Sequence, residues 1–197
     1  MRTVGLALLA VIVAASVTAP VLAPHSEDRA FRGFLNAPPT APHIRDDSGR
    51  WHAPFIYRWT LTNQLEQRYA EDRSTIVALR WLSAGRLVSS SDDGLMPLLL
   101  LGADSYGRDV FSRLLYGGRL SLAIAAVAAA GALLLGALIG GTAGYAGGVV
   151  DDVLMRTSDF VVVLPAMYVV LALRSAMSLV LPPVQIFALL TAIFAVV

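Results

Sequence analysis

The chain has 197 residues, of which 56% are hydrophobic and only 15% charged, with a formal net charge of +1 and a mean hydropathy of +0.67. The apolar residues are gathered into blocks at about 3–24, 120–150, 160–173 and 175–197, a distribution that excludes an ordinary soluble domain and fits membrane spans of roughly 20 residues. A near-neutral charge with no basic cluster standing clear of acids excludes a nucleic-acid partner, and the absence of Cys excludes a disulfide framework or a Cys-based metal site.

The first apolar block, Thr3 to Ala23, follows only Met1 and Arg2. It is long for a signal peptide, and its small-residue cleavage candidates, Ala19 and Ala23, are each followed by Pro, so it reads as an uncleaved span. From Pro24 to about Pro97 the chain turns polar, with Trp51, Trp59, Trp81, Phe55 and Tyr57 interspersed among Arg, Asp and Ser. Ala37-Pro-Pro-Thr-Ala-Pro42 predicts a stiff extended connection. His43 to Arg45 and Arg50 to Trp59 predict two strands around the turn Asp46 to Gly49, with Pro54 placing the second at a sheet edge. Asn63 predicts the cap of a short helix from Gln64 to about Asp72, and Thr75 to Leu82 a further strand. Ser83-Ala-Gly85 and Asp92-Asp-Gly94 are turn signals. Together these describe a small α+β region over 24–100, in which the aromatics supply a core rather than a docking surface. All three His (His25, His43 and His52) lie here without close pairing, so they read as solvated loop histidines and no metal site is expected.

The segment 101–119 reads as an amphipathic helix capped by Asp104 or Ser105 and lying in the headgroup plane, with Arg108, Asp109, Ser112 and Arg113 on one side and Val110, Phe111, Leu114 and Leu115 on the other. Gly117-Gly118 would then turn the chain sharply into a charge-free span, Leu120 to Val150. Within that span Gly136, Gly140, Gly144 and Gly148 recur every four residues, with Ala128 and Ala132 extending the row, and form a face on which two helix backbones can approach closely. Asp151 to Asp159, with Arg156, reads as a solvated turn before a third span, Phe160 to about Leu181, that carries Pro165 and Arg174. A fourth span begins near Val184, but the residues to Val197 cover only about 21 Å of a roughly 30 Å core, so the chain is expected to be a fragment of a longer protein. The N-terminus and the 144–159 turn then share one side of the membrane and residues 24–119 lie on the other, with Arg2 and Arg156 inside against Arg174 outside.

Gly102-Ala-Asp104, Gly107-Arg-Asp109, Ser112-Arg-Leu-Leu-Tyr-Gly117 and Arg119-Leu-Ser-Leu122, followed by Ala143-Gly-Tyr145, Gly147-Gly148, Asp151, Leu154-Met-Arg156, Asp159 and Pro165, resemble in order and spacing the permease subunits of ABC importers in the dipeptide, oligopeptide and nickel branch. The resemblance covers residues 101–197 well and 1–23 loosely, while 24–100 is longer than is typical. It implies an all-α polytopic fold of MetI-like permease helices in the inner membrane, here with the α+β region inserted on the extracytoplasmic side between the first and second spans. It assigns family-motif roles to Asp104, Gly107, Arg108, Asp109, Arg113, Tyr116, Gly117, Arg119, Gly144, Tyr145, Gly147, Gly148, Asp151, Arg156, Asp159 and Pro165. Gly136 and Gly140 remain helix-packing positions.

The resemblance further implies half of a translocation pathway for peptides or similar small solutes. Its partners would be a homologous permease, two ABC ATPases and an extracytoplasmic solute-binding protein, and ATP would be used by the ATPases, with no cofactor on this chain. The family's ATPase-coupling loop would begin just past Val197. No Walker A pattern and no workable nucleophile, base and acid set is present, so no enzymatic activity is expected. Two other readings stay open: a membrane-anchored extracytoplasmic binding or sensing module, and a truncated, non-transporting remnant.

Overall fold

The computed structural model of the chain describes residues 2–163 and, beyond them, Tyr168, Leu171, Ala172, Ser175, Pro182, Val184, Gln185, Ile186, Ala188 and Thr191. Pro165, Arg174 and most of the expected third-span end and fourth span lie outside the described residues. Two compact units are present, Met1–Arg119 and Leu120–Val197.

In the first unit the N-terminal apolar block forms α1 (Arg2–Val17) and the single turn α2 (Ala19–Leu22). Pro20, in the first turn of α2, has no N–H to donate, and the interruption falls just before it. The Thr18 hydroxyl bonds back to the Ala14 carbonyl at 2.6 Å. An antiparallel meander follows: β1 (His43–Arg45), β2 (Trp51–Asn63), β3 (Arg68–Ser83) and β4 (Arg86–Ser90), in the spatial order β1-β2-β3-β4. The turns expected at 46–49 and 83–85 are present, the latter with Ala84 at φ 52° and Gly85 at φ 76°, the pair of positive angles that a two-residue hairpin with right-twisted strands requires.

Three expectations for this region are corrected. The stretch 64–72 is not a helix. It closes and re-enters the long β2–β3 hairpin, and Asn63 caps the turn, its Oδ1 accepting from the N–H groups of Leu65 and Glu66. Pro54 lies in an inner strand rather than an edge strand. It is accommodated where the β1–β2 ladder is irregular, between the pairs His43↔Phe55 and Arg45↔Trp51. Among the described residues between α2 and Val110 there is no helix at all, so the region is an antiparallel sheet with long connections rather than α+β. An all-α description therefore does not fit the chain.

The sheet has one apolar face. Along β3 Val77 and Leu79 are buried, while Ile76, Ala78 and Arg80 point outward, the two-residue period of a half-covered strand. Ile56, Val77, Leu79, Met96 and Leu98 form the core, and Phe34, Trp59 and Val88 pack against it. Each such side chain contributes roughly 1.5–3 kcal/mol by burial. Met96 and Leu98 thus cover this core from the connection after β4, while Leu99 packs with Phe31 and Ala37 in a second cluster. The aromatics divide: Phe55 and Tyr57 are buried, while Trp51 and Trp81 are 73% and 58% exposed.

The last two helices are α3 (Val110–Ala146) and α4 (Gly148–Val163). Among the described residues α3 is the one helix long and apolar enough to cross a membrane. Its 37 residues span about 55 Å, well beyond a roughly 30 Å hydrocarbon core, which leaves room for its charged beginning to stand outside. Gly117-Gly118 does not break it. A Cβ on Gly118 would instead stand 2.9 Å from the Ser16 hydroxyl, so this glycine permits a close approach of α1. The expected loop at 151–159 is also corrected: only Gly147, at φ 61°, separates α3 from α4, and Asp151, Arg156 and Asp159 are helical. The glycine row consequently ends within α3 at Gly144, and Gly148 opens the next helix.

Candidate functional site

The motif residues at 102–113 assemble a junction between the segment that leaves α2 and the start of α3. Asp104 holds its loop. Its carboxylate accepts from the N–H groups of Tyr106 (2.8 Å) and Arg108 (2.9 Å), from Arg108 Nε (2.9 Å) and from Arg113 Nη1 (2.6 Å). Burial opposes ionisation of this carboxyl, but these hydrogen bonds outweigh it and lower the pKa to about 2. The helix cap is therefore not Asp104 or Ser105. Asp109 occupies that place, with Oδ1 accepting from the Phe111 N–H at 3.1 Å.

Glycine is required twice in this loop. Gly102 and Gly107 have φ of 80° and 75°, and added Cβ atoms would come within 2.6 Å of the Ala37 carbonyl oxygen and 2.3 Å of the Phe31 carbonyl oxygen. The space is taken by two short antiparallel bridges, Ala30↔Arg108 and Ala103↔Asp109. The first is fastened by Phe31 N–H to the Gly107 carbonyl (2.8 Å), the second by Asp104 N–H to the Arg108 carbonyl (3.0 Å) and Val110 N–H to the Gly102 carbonyl (3.1 Å), while Ala103 N–H also donates to the Ala37 carbonyl (2.9 Å).

At the centre is His25, which is fully buried and not the solvated loop residue expected from sequence. Its Nδ1 lies 3.2 Å from Asp109 Oδ2 and its Nε2 3.4 Å from Asp93 Oδ1. Each ring nitrogen faces a carboxylate, so both can donate only if the ring is an imidazolium. Burial disfavours that charge, yet the bonds to Asp109 and Asp93 prevail and raise the His25 pKa above its ordinary value. For Asp93 burial likewise works against the charge, and His25, Arg29 and Arg86 bring its pKa below the usual carboxylate range. Arg29 Nη1 donates to Asp93 Oδ2 at 2.7 Å. Buried Ser112 completes the set: its hydroxyl accepts from the His25 N–H at 3.1 Å and donates to Asp109 Oδ2. This is not a nucleophilic triad, because Nε2 faces a second carboxylate and the serine is bonded to Asp109. The arrangement locks three segments together.

The junction predicts a pH dependence. The folded pKa of His25 lies above its unfolded value of about 6.5, so its contribution to stability is complete below that value and is lost as pH rises through the folded pKa. Unfolding of the detergent-solubilised chain is expected to become easier as pH is raised above about 6.5. His25→Gln should flatten that dependence, and equal slopes in the two proteins would refute the assignment.

Of the other motif positions, Arg108 and Arg113 bond Asp104, Tyr116 is half-buried on α3, and Gly117 and Arg119 are exposed. In the second unit Gly136, Gly140 and Gly144 have open space where a Cβ would stand. Tyr145 is 97% exposed. Asp151, Arg156 and Asp159 lie along α4. His25 and Asp93 escaped the sequence reading. The signal for His25 was its place directly after Ala23-Pro24 at the end of the apolar block, where an ionisable ring needs a partner.

No family model matches the chain. It is similar to the dipeptide transport system permease protein of Bacillus subtilis, 43% identical over 76 residues, which is 39% of this chain and 24% of that protein. It is also similar to the glutathione transport system permease protein of Pectobacterium atrosepticum, 39% identical over 45% of this chain and 31% of the relative. The di/tripeptide transport system permease protein of Pseudomonas aeruginosa aligns over 86% of this chain and 39% of its own length at 27% identity. The chain thus spans about a quarter to two fifths of the length of these relatives. It is a homologue of membrane permease subunits of ABC transporters. Within that class its relatives are the peptide permeases, subunits that are not enzymes and bind no cofactor.

Proposed function

We propose that the chain forms part of the transmembrane permease subunit of an ATP-driven importer of peptides or similar small solutes in the inner membrane. In this reading it pairs with a homologous permease, receives its solute from an extracytoplasmic binding protein, and is driven by ABC ATPase subunits. The sheet unit stands on the extracytoplasmic side, where the junction around His25 and Asp104 fixes the start of α3. Homology to peptide permeases carries the reading. The unfilled row Gly136, Gly140, Gly144 supports it, since a helix face of this kind suits close packing against another helix. Alternating access would then move α3 against its neighbour along that row.

The test is to read the coding sequence through Val197, then reconstitute the subunit it encodes with its partner permease, ATPases and binding protein in proteoliposomes. Peptide-stimulated ATP hydrolysis is expected, and Gly140→Leu should lower it at least tenfold. Hydrolysis indifferent to peptide and binding protein would defeat the proposal. A second reading, a membrane-anchored module whose sheet itself binds ligand, draws on exposed Trp51 and Trp81. It requires ligand binding without any ATPase partner.

A further inference from the structure

Beside the buried junction lies an open cleft of about 340 Å³ whose lining includes Pro24, Arg29, Arg80, Arg86, Ser89 and Asp93. We propose that this cleft is a binding site for the phosphate of an anionic phospholipid headgroup, held principally by Arg80. The charge balance favours an anion, with three guanidinium groups facing one carboxylate. Asp93 would repel an anion by itself, but it already accepts from Arg29 at 2.7 Å and faces His25. Arg86 donates to the Pro24 carbonyl oxygen and keeps its charge at the cleft wall. Among the described residues no carboxylate pairs with Arg80. It stands opposite Ser89 in the β3–β4 ladder, which puts both side chains on one face of the sheet and supplies a hydroxyl beside a free guanidinium fork. A planar fork of N–H donors is matched to two oxygens of a phosphate.

Position selects a lipid as the source. Pro24 is the second residue after α2, at the end of the apolar segment that begins at Arg2, and α2 packs against β4. An apolar stretch of this length ends about where hydrocarbon gives way to headgroups, the depth at which Arg clusters meet anionic lipid. The proposal rests on the reading that α1 and α2 are embedded in the membrane.

The experiment uses the full chain in detergent, with bound lipid counted by native mass spectrometry. The probes are dioctanoyl phosphatidylglycerol, dioctanoyl phosphatidylcholine and inorganic phosphate. One phosphatidylglycerol is expected to bind at least tenfold more tightly than phosphatidylcholine. Arg80→Gln should weaken it at least fivefold, whereas Arg68→Gln, at the far β2–β3 turn, leaves it unchanged. Equal binding by wild type and Arg80→Gln overturns the site, and displacement of the lipid by an equal concentration of inorganic phosphate overturns the lipid source. Labelling of a single introduced cysteine, Leu9→Cys, with a membrane-impermeant maleimide on expressing membranes separates the two levels, since the chain has no other cysteine. Ready labelling rejects the embedded reading itself, while protection together with Arg80-independent binding rejects only the cleft.

Discussion

Asp109→Ala is expected to destabilise the first unit by about 3 to 5 kcal/mol, the usual cost of removing one partner from a buried ion pair. The loss has three parts. His25 keeps a buried charge with only Asp93 to answer it, the Ser112 hydroxyl loses its acceptor, and the Phe111 N–H at the start of α3 loses its cap. Asp109→Asn separates these contributions, because its single amide oxygen can still accept from the Phe111 N–H while an uncharged NH2 stands toward Ser112 and His25. The milder variant should lose roughly half as much and should shift the ring toward its neutral form. Thermal unfolding in detergent, read by protease resistance of the sheet unit, measures both. A loss below about 1 kcal/mol for Asp109→Ala would show that the junction is not what holds the unit together.

Gly107→Ala is expected to cost about 3 kcal/mol, although it adds a single methyl group. At φ 75° a side chain is strained in any surroundings, by about 1–3 kcal/mol. Here the added Cβ also lies 2.3 Å from the Phe31 carbonyl oxygen and 2.9 Å from its carbon. Those are backbone atoms held by the Phe31 to Gly107 hydrogen bond, so no rotamer change relieves the overlap. Gly136→Ala is the control. It sits in helical backbone with nothing within 4 Å of the new atom, and alanine is favoured over glycine in a helix by up to about 1 kcal/mol. The isolated chain should therefore tolerate Gly136→Ala or gain from it. Equal melting shifts for the two glycines would contradict the bridge geometry around Phe31.

The features legible in the sequence are those that depend on neighbours a few residues away. The turn at 46–49, the Ser83-Ala-Gly85 hairpin and the apolar run from Leu120 all carry their cause in local composition, and each is present. The helix expected at 64–72 fails because its good local propensity is overridden by pairing of Arg58 to Leu61 with Tyr69 to Asp72 across the hairpin. Gly117-Gly118 suggested a turn because two adjacent glycines weaken a helix in isolation. Gly118 instead answers to Ser16, which is remote in sequence. The same holds for the site. The Gly102 to Arg113 motif was visible as a pattern, but that Asp109 meets His25, and that His25 is buried at all, follows from a contact across 84 residues which no local signal encodes.

That separation in sequence has a kinetic side. The contact joining His25 to Asp109 closes a loop that contains the entire sheet, and closing it costs entropy that grows with its length. Contacts of such high sequence separation form late. During synthesis the first apolar helix must therefore wait, with the His25 to Asp109 contact unmade, until all four strands and the beginning of α3 have left the ribosome. Asp93 emerges before Asp109, so the ring is captured in stages, first from the loop after β4 and then from the helix. A pause after Asp93 has left the ribosome and before Asp109 has done so would leave that intermediate populated, and it is there that a protease or chaperone would find the chain half fastened.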